Sequence, residues 1–314
     1  MEKLHSSSPT MTVDAHIDTP WIMTKYGVFD LQDKQSLSMV DFPRMKIGGL
    51  QAAIFALYLS DALQDAVGPQ KASDLINQQI AALKFQPGCT IVDCTADAIL
   101  VLQTRQVPIF LGLEGGRLIH GDLARLSELR RKGVRYLTIT HNRNTDWADS
   151  ATDIRYHGGL TRFGGEVVQE ANSLGVLLDI SHASDETAQA VMGNSTEPVI
   201  ASHSGCRSLL NHPRNLSDNL IRALVRTGGV IHIPFARRFI GPKASGIADH
   251  IDHVVQLVGN ANHVGIGSDL DGAEMVNGIH DVSCWRTAVS LEKRGYSVDD
   301  INAIMGGNTL WVLS

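Results

Sequence analysis

Aromatic side chains make up only 5% of the 314 residues, and there are just four cysteines. Cys89, Cys94, Cys206 and Cys284 show no C-x-x-C spacing and no dense framework, which excludes a disulfide-stapled scaffold. They read as reduced thiols, with a Cys89–Cys94 bridge left open. No apolar run reaches the length of a membrane span, and the opening MEKLHSSSPT lacks the apolar core of a secretory signal. A cytoplasmic location is therefore expected. Positive charge is also short: 27 Lys and Arg stand against 33 Asp and Glu, a net charge of −6. This balance argues against a nucleic-acid surface, which needs clustered cations, and favours a small-molecule partner. The glycine patterns of dinucleotide folds and phosphate loops are missing, as is the G-x-S-x-G nucleophile elbow.

What is present is an ordinary globular mixture, 43% apolar and 19% charged, with no linker or repeat, so residues 1–314 read as one domain. Eight apolar runs of strand length recur: Asp14–Asp18, Leu50–Leu59, Pro108–Glu114, Arg135–Thr140, Val176–Ser181, Pro198–Ser202, Gly229–Phe235 and His263–Asp269. Several are almost continuous in Val, Ile and Leu, as strands covered on both faces should be. Helical patterns lie between them, over Ala72–Phe85, Asp122–Lys132, Thr161–Leu174, Ser184–Met192, Ser217–Arg226, Ile247–Val258 and Cys284–Arg294. A last helix is expected over Ser297–Met305, capped by Ser297. Leu31–Ser38 and Arg237–Gly246 read as long surface loops. Strands alternating with helices in this number predict an α/β chain folded as a (β/α)8 TIM barrel.

A barrel concentrates its chemistry at the C-terminal ends of its strands. In VDAHIDTP, strand alternation points His16 and Asp18 the same way. Taken alone, such a pair is more often a satisfied polar couple at a strand end. The other strands change that reading: Glu114 ends the third, His141 follows the fourth, His182 the fifth, His203 the sixth, and Asp269 ends the eighth. Imidazoles and carboxylates suit zinc and similar divalent ions. Five ligands are too many for one catalytic zinc, but Glu114 as a bridge resolves the count. His16 and Asp18 then complete one site, and His182 and His203 the other. Two close ions polarise a carbonyl or phosphoryl oxygen and activate water, which is hydrolase chemistry. Gly115 and Gly116 would let the chain turn sharply and approach the metals closely.

The ordered motifs DAHIDTP, LEGG, GVRYLTITHNRNTDWADS, GGLTRFGGEVVQEANSLGVLLDISHAS, PVIASHSGCRSLLNHPRNLSD, HVGIGSDLDG and GYSVDDINAIMGGNTL carry a resemblance across nearly the whole chain. The sequence resembles the membrane (renal) dipeptidase family, zinc peptidases among the amidohydrolase barrels. The resemblance implies a binuclear zinc dipeptidase with a barrel of the metal-dependent hydrolase type, working through metal-activated hydroxide. It implies the same five ligands, His16, Asp18, Glu114, His182 and His203. Asp269 matches the family's catalytic aspartate, which relays the proton from water to the leaving amine. His141 matches the histidine that contacts substrate and steadies the oxyanion. Arg214 matches the arginine that reaches the substrate carboxylate. A homodimer is also implied, because relatives often form one.

Departures concern the substrate. Where many relatives read Asn-Phe-Tyr after the seventh strand, this chain has Pro234, Phe235 and Ala236, followed by Arg237 and Arg238. The family's ligand-side tyrosine is thus missing, which keeps open a different small amide or ester, such as an N-acyl amino acid. The two arginines read as solvated, though an inward one would favour an acidic substrate. Arg162 and Trp311 replace a proline and an arginine common in relatives and read as structural. The chain otherwise resembles the soluble bacterial members.

Overall fold

The computed structural model describes residues 11–34 and 37–314. The segment MEKLHSSSPT and two positions of the Leu31–Ser38 loop lie outside the described residues. Among the described residues nine strands form one sheet: β1 (Val13–Ile17), β2 (Ala52–Tyr58), β3 (Cys89–Ile91), β4 (Val107–Glu114), β5 (Val134–Thr138), β6 (Leu177–Asp179), β7 (Val199–Ala201), β8 (Val230–Ile233) and β9 (Val264–Ile266). The order is β1-β2-β4-β5-β6-β7-β8-β9, all parallel, with short β3 paired to β4 off this path. The eight expected strands are therefore present, and only the three-residue β3 is additional.

Closure is made just beyond the regular strands. Ile17 bridges Leu270, the Asp18 amide donates to the Leu270 carbonyl at 2.9 Å, and the Asp269 amide donates to the His16 carbonyl at 3.0 Å. The buried Asp14 carboxylate ties this seam by accepting from the amides of His16 (3.0 Å) and Ser268 (2.9 Å) and from the Trp285 indole (2.6 Å). Burial pushes its acid up to about 6 against these hydrogen bonds.

Strand alternation divides the core in two. Val13, Ala15, Ile54, Phe110, Tyr136, Ile200 and Val230 meet inside the barrel. Their strand neighbours Phe55, Leu111, Leu137, Leu178 and Ile231 face outward into a second layer with helix residues such as Leu126, Val167 and Leu224. Both faces are covered, which explains the nearly unbroken apolar strands.

The expected cap at Ser297 forms, its side chain accepting from the Asp300 amide, and Thr161, Ser184 and Ser217 cap their helices in the same way, accepting from the amides of Gly164, Thr187 and Leu220. Other boundaries differ for local reasons. The Ala72–Phe85 pattern is the second half of the helix Asp61–Lys84, kinked where Gly68 takes φ 73° before Pro69. The Cys284–Arg294 pattern breaks into short turns because Ser290 adopts φ 48°. The predicted loop Arg237–Gly246 contains the helix Arg237–Ile240 and the start of Ser245–Val258. Helices Thr19–Tyr26, Phe42–Gly48 and Thr95–Gln103 were not expected. All four cysteines are free thiols. Among the described residues no helix is long and apolar enough to cross a membrane.

Candidate active site

The polar residues at the strand ends converge. Glu114 Oε1 lies 3.6 Å from His16 Nε2, 3.2 Å from His182 Nε2 and 3.5 Å from His203 Nε2, while His16 Nε2 lies 3.5 Å from Asp18 Oδ2. Asp269 joins His16 and Asp18 in one potential ion-holding group, and His141 joins Glu114 and His182 in another. Every one of these except half-buried His141 is buried. Simple alternation does not fully explain the first pair. A β-bulge between Asp14 and Ile17 sends Asp14 outward to Trp285 and turns His16 inward, and Asp18 lies one residue past the strand.

The pocket is short of positive charge. Burial raises Glu114 and Asp269 well above the usual carboxylate range, and the charge of Asp18 adds to both. Burial opposes charge on His16, yet Glu114, Asp18 and Asp269 outweigh it and lift the imidazole to about 10. His182 and His203 are held well below their usual range by burial and by the charge of neighbouring Arg214, so they offer neutral nitrogen lone pairs. His16 Nε2 and Asp18 Oδ1 are buried with no hydrogen-bond partner. Crowded carboxylates, neutral imidazoles and two orphaned donor atoms fit divalent cations.

The chain is strained where it delivers these groups. His182 (φ 69°), Asp269 (φ 64°) and Asp271 (φ 69°) are non-glycine residues in the left-handed region. Asp271 is held there by Thr19, Ser38 and the Met39 amide, each at 2.6 Å. Gly115 supplies the turn after Glu114 with φ 114°, as expected. Gly116 does not approach the ligands: a Cβ there would strike the Ile139 carbonyl and Trp147. The glycine that the carboxylates do require is Gly272, where a Cβ would strike Asp18 Oδ2 and Asp269 Oδ1. Gly272→Ala is therefore expected to displace both carboxylates and lower kcat/KM by about 10²-fold, with zinc titration reporting weakened metal binding.

Around the mouth, His141 Nδ1 faces Asp61 Oδ2 at 3.4 Å, and Arg117 donates to Asp61 Oδ1 at 3.2 Å. Although burial alone would raise Asp61, these two partners hold it below the usual range. The Tyr58 ring lies against His141 with centroids 4.6 Å apart. Arg214 is 3% exposed, its Nε has no partner, and its Nη2 reaches only the His203 carbonyl at 3.4 Å. Burial pushes it down to about 10, against the pull of Asp269 and Glu114, so it remains a cation at neutral pH. Of the two neighbouring arginines, Arg237 pairs with Glu274 at 2.7 Å, whereas exposed Arg238 adds its charge to the field around Arg214 and His212. Arg162 is exposed and pairs with Glu166. A cavity of about 1020 Å³ lies at the opposite end of the barrel, beside Met11, Gly49, Gly88 and Val107, where no ligand group converges.

The profile of the Membrane dipeptidase family (Peptidase family M19) matches residues 1–314. The chain belongs to this family. Its similarity to curated dipeptidases is broad: it is 39% identical over 325 residues to Dipeptidase verJ of Clonostachys rogersoniana, covering 96% of this chain and 83% of that protein. It is 31% identical over 315 residues to Dipeptidase 3 of Rattus norvegicus, covering 96% of this chain but spanning only 64% of the length of that relative. Among solved structures, a Rhodobacter sphaeroides metallopeptidase liganded with a phosphinate mimic of L-Ala-D-Ala superposes with a TM-score of 0.86 at 24% identity, covering 96% and 98% of the two chains. The probable dipeptidase PvdM of Pseudomonas aeruginosa does so with a TM-score of 0.86 at 23% identity, covering 96% and 94%. These structures share the nearly closed barrel of eight parallel strands.

Sequence reasoning did not single out Asp61, Tyr58, Gly272 or the groups behind the histidines, Tyr136, Asp179 and Ser202. Tyr136, Asp179, Ser202 and Gly272 all sit inside recognisable motifs, but only contact geometry marks them out.

Proposed function

We propose that the protein is a binuclear zinc dipeptidase that hydrolyses small dipeptides, including those with a D residue at the C-terminal position. The observation that carries this reading is one Glu114 oxygen facing three imidazole nitrogens, with Asp269 and Arg214 beside it. His16, Asp18 and Glu114 would hold one ion, and His182, His203 and Glu114 the other. Such ions, when bound, polarise the peptide carbonyl and acidify water.

The chain supplies the rest. Asp269 accepts a proton as water oxygen bonds to the carbonyl carbon, then gives it to the amine as the C–N bond breaks. His141 faces the growing negative charge on the carbonyl oxygen, and Asp61 holds its ring from behind. Arg214, a buried guanidinium short of partners, fits the C-terminal carboxylate of a dipeptide. Zinc as the ion is supported by the imidazole and carboxylate donor set together with the resemblance, and a homodimeric state by the resemblance alone.

Hydrolysis of a dipeptide panel in L-L, L-D and D-L forms by zinc-loaded protein, followed with ninhydrin, tests the proposal. Turnover lost on chelation and regained with zinc is the expected result. A metal-loaded protein inert toward every dipeptide would shift the substrate to another small amide or ester, the alternative raised by Pro234, Phe235 and Ala236. For Arg214→Met we expect kcat/KM to fall by about 10²-fold for free dipeptides and far less for their C-terminal amides. Equal losses for both would remove the carboxylate role.

A further inference from the structure

Two of the three imidazoles that face Glu114 are backed by hydroxyl groups, and both hydroxyls reach the same nitrogen, His16 Nδ1. Tyr136 Oη lies 2.8 Å from His16 Nδ1, and Ser202 Oγ lies 2.9 Å from His203 Nδ1 and 3.3 Å from His16 Nδ1. The Ser202 hydroxyl donates to Asp179 Oδ2 at 2.6 Å. Asp179 is fully buried and also accepts from Thr138 Oγ1 at 2.6 Å and from the amides of Ser181 (2.9 Å) and Ser202 (2.8 Å). Tyr136 reaches this point because β4 carries Gly112, where a Cβ would collide with its ring. By contrast, His182 Nδ1 has no partner.

Donor directions follow from the chemistry of ligation. For His16 and His203 to present Nε2 lone pairs to ions, each must carry its proton on Nδ1. His16 then donates to Tyr136 Oη and His203 to Ser202 Oγ. The Ser202 proton is committed to Asp179, which leaves the Ser202 oxygen to accept from the Nδ1–H of His203 and, at 3.3 Å, of His16, while Tyr136 Oη is a second acceptor for His16; these acceptors fix both imidazoles in one tautomer.

We propose that Ser202 is a shared positioning residue that couples the two metal positions, while Tyr136 acts on the His16 position alone and Asp179 anchors both. The inference rests on the assignment of His16 and His203 to different ions. All three are fully buried behind the imidazoles; Tyr136 and Ser202 act through a ligand, and Asp179 through Ser202.

Zinc titration against a competing chelator tests it on the full chain, reading stoichiometry and the two affinities separately from turnover. Tyr136→Phe, which keeps the packed ring, is expected to weaken one of two ions by about 10- to 100-fold and leave the other unchanged. Ser202→Ala is expected to weaken both by a similar factor. Wild-type protein that binds two ions, with both variants binding them at unchanged affinity, would overturn the relay while leaving the dipeptidase reading intact. Wild-type protein that binds a single ion would overturn the binuclear assignment itself. Thermal unfolding of the metal-free variants supplies the control: a relay role leaves metal-free Tm near wild type, whereas a fall that accounts for the lost affinity reduces both residues to packing.

Discussion

Asp269→Asn is expected to retain its metal and lose turnover by about 10²- to 10⁴-fold, the range for removal of a positioned general acid–base. The substitution preserves size and the backbone hydrogen bond to the His16 carbonyl, which uses the amide of residue 269 rather than its side chain. What it removes is a carboxylate that burial and Asp18 hold well above its ordinary range, with His16 and Arg214 pulling the other way. Bound dications would add to that downward pull, leaving a base able to take a proton from water and return it to an amine. Asp269 also lies close enough to His16 and Asp18 to be a ligand. Metal content measured beside kcat separates the roles: loss of one ion together with activity would move Asp269 into the ligand set, and full activity would remove it from the mechanism.

Removing the metal is expected to abolish hydrolysis and to destabilise the barrel in a pH-dependent way. Each ion present at a thousandfold excess over its Kd stabilises the folded state by about 4 kcal/mol. With an unfolding entropy of about 2.1 cal/mol/K per residue, that corresponds to roughly 6 °C in Tm per ion for this chain. The metal-free protein has its own pH signature. Asp14, Glu114 and Asp269 bind protons more tightly when folded, so stability falls as pH rises from the ordinary carboxylate range through their raised values. The raised imidazole of His16 acts in the same direction, with stability lost as pH climbs from its ordinary value toward about 10. Thermal scans with and without zinc should therefore show a gap in Tm that widens with pH. A constant gap would mean that these buried groups are not what the cations neutralise.

Much of the site was legible because a parallel barrel converts strand order into proximity. Six separate runs end in His, Asp or Glu or are followed directly by His, and once each run is a strand of one barrel those ends share a rim. The eight barrel strands were legible for a related reason, since burial on both faces demands continuous apolar sequence. Other elements escaped. The strand Cys89–Ile91 is no shorter than β6, β7 or β9, but it is only partly buried and lacks their apolar run, and the break at Ser290 comes from a backbone conformation that periodicity does not encode.

The sequence by itself determined the barrel, the family and the residues fit to hold metal, because each is written in local pattern: apolar runs, caps, and polar residues at strand ends. Only the tertiary structure decided which groups act on which. The bulge that parts Asp14 from His16, the space that Gly272 leaves for two carboxylates, and the meeting of Tyr136, Ser202 and Asp179 behind the imidazoles are contacts between distant segments. Such contacts depend on strand register and on which side chain a neighbouring glycine leaves room for, and neither is fixed until the sheet has closed.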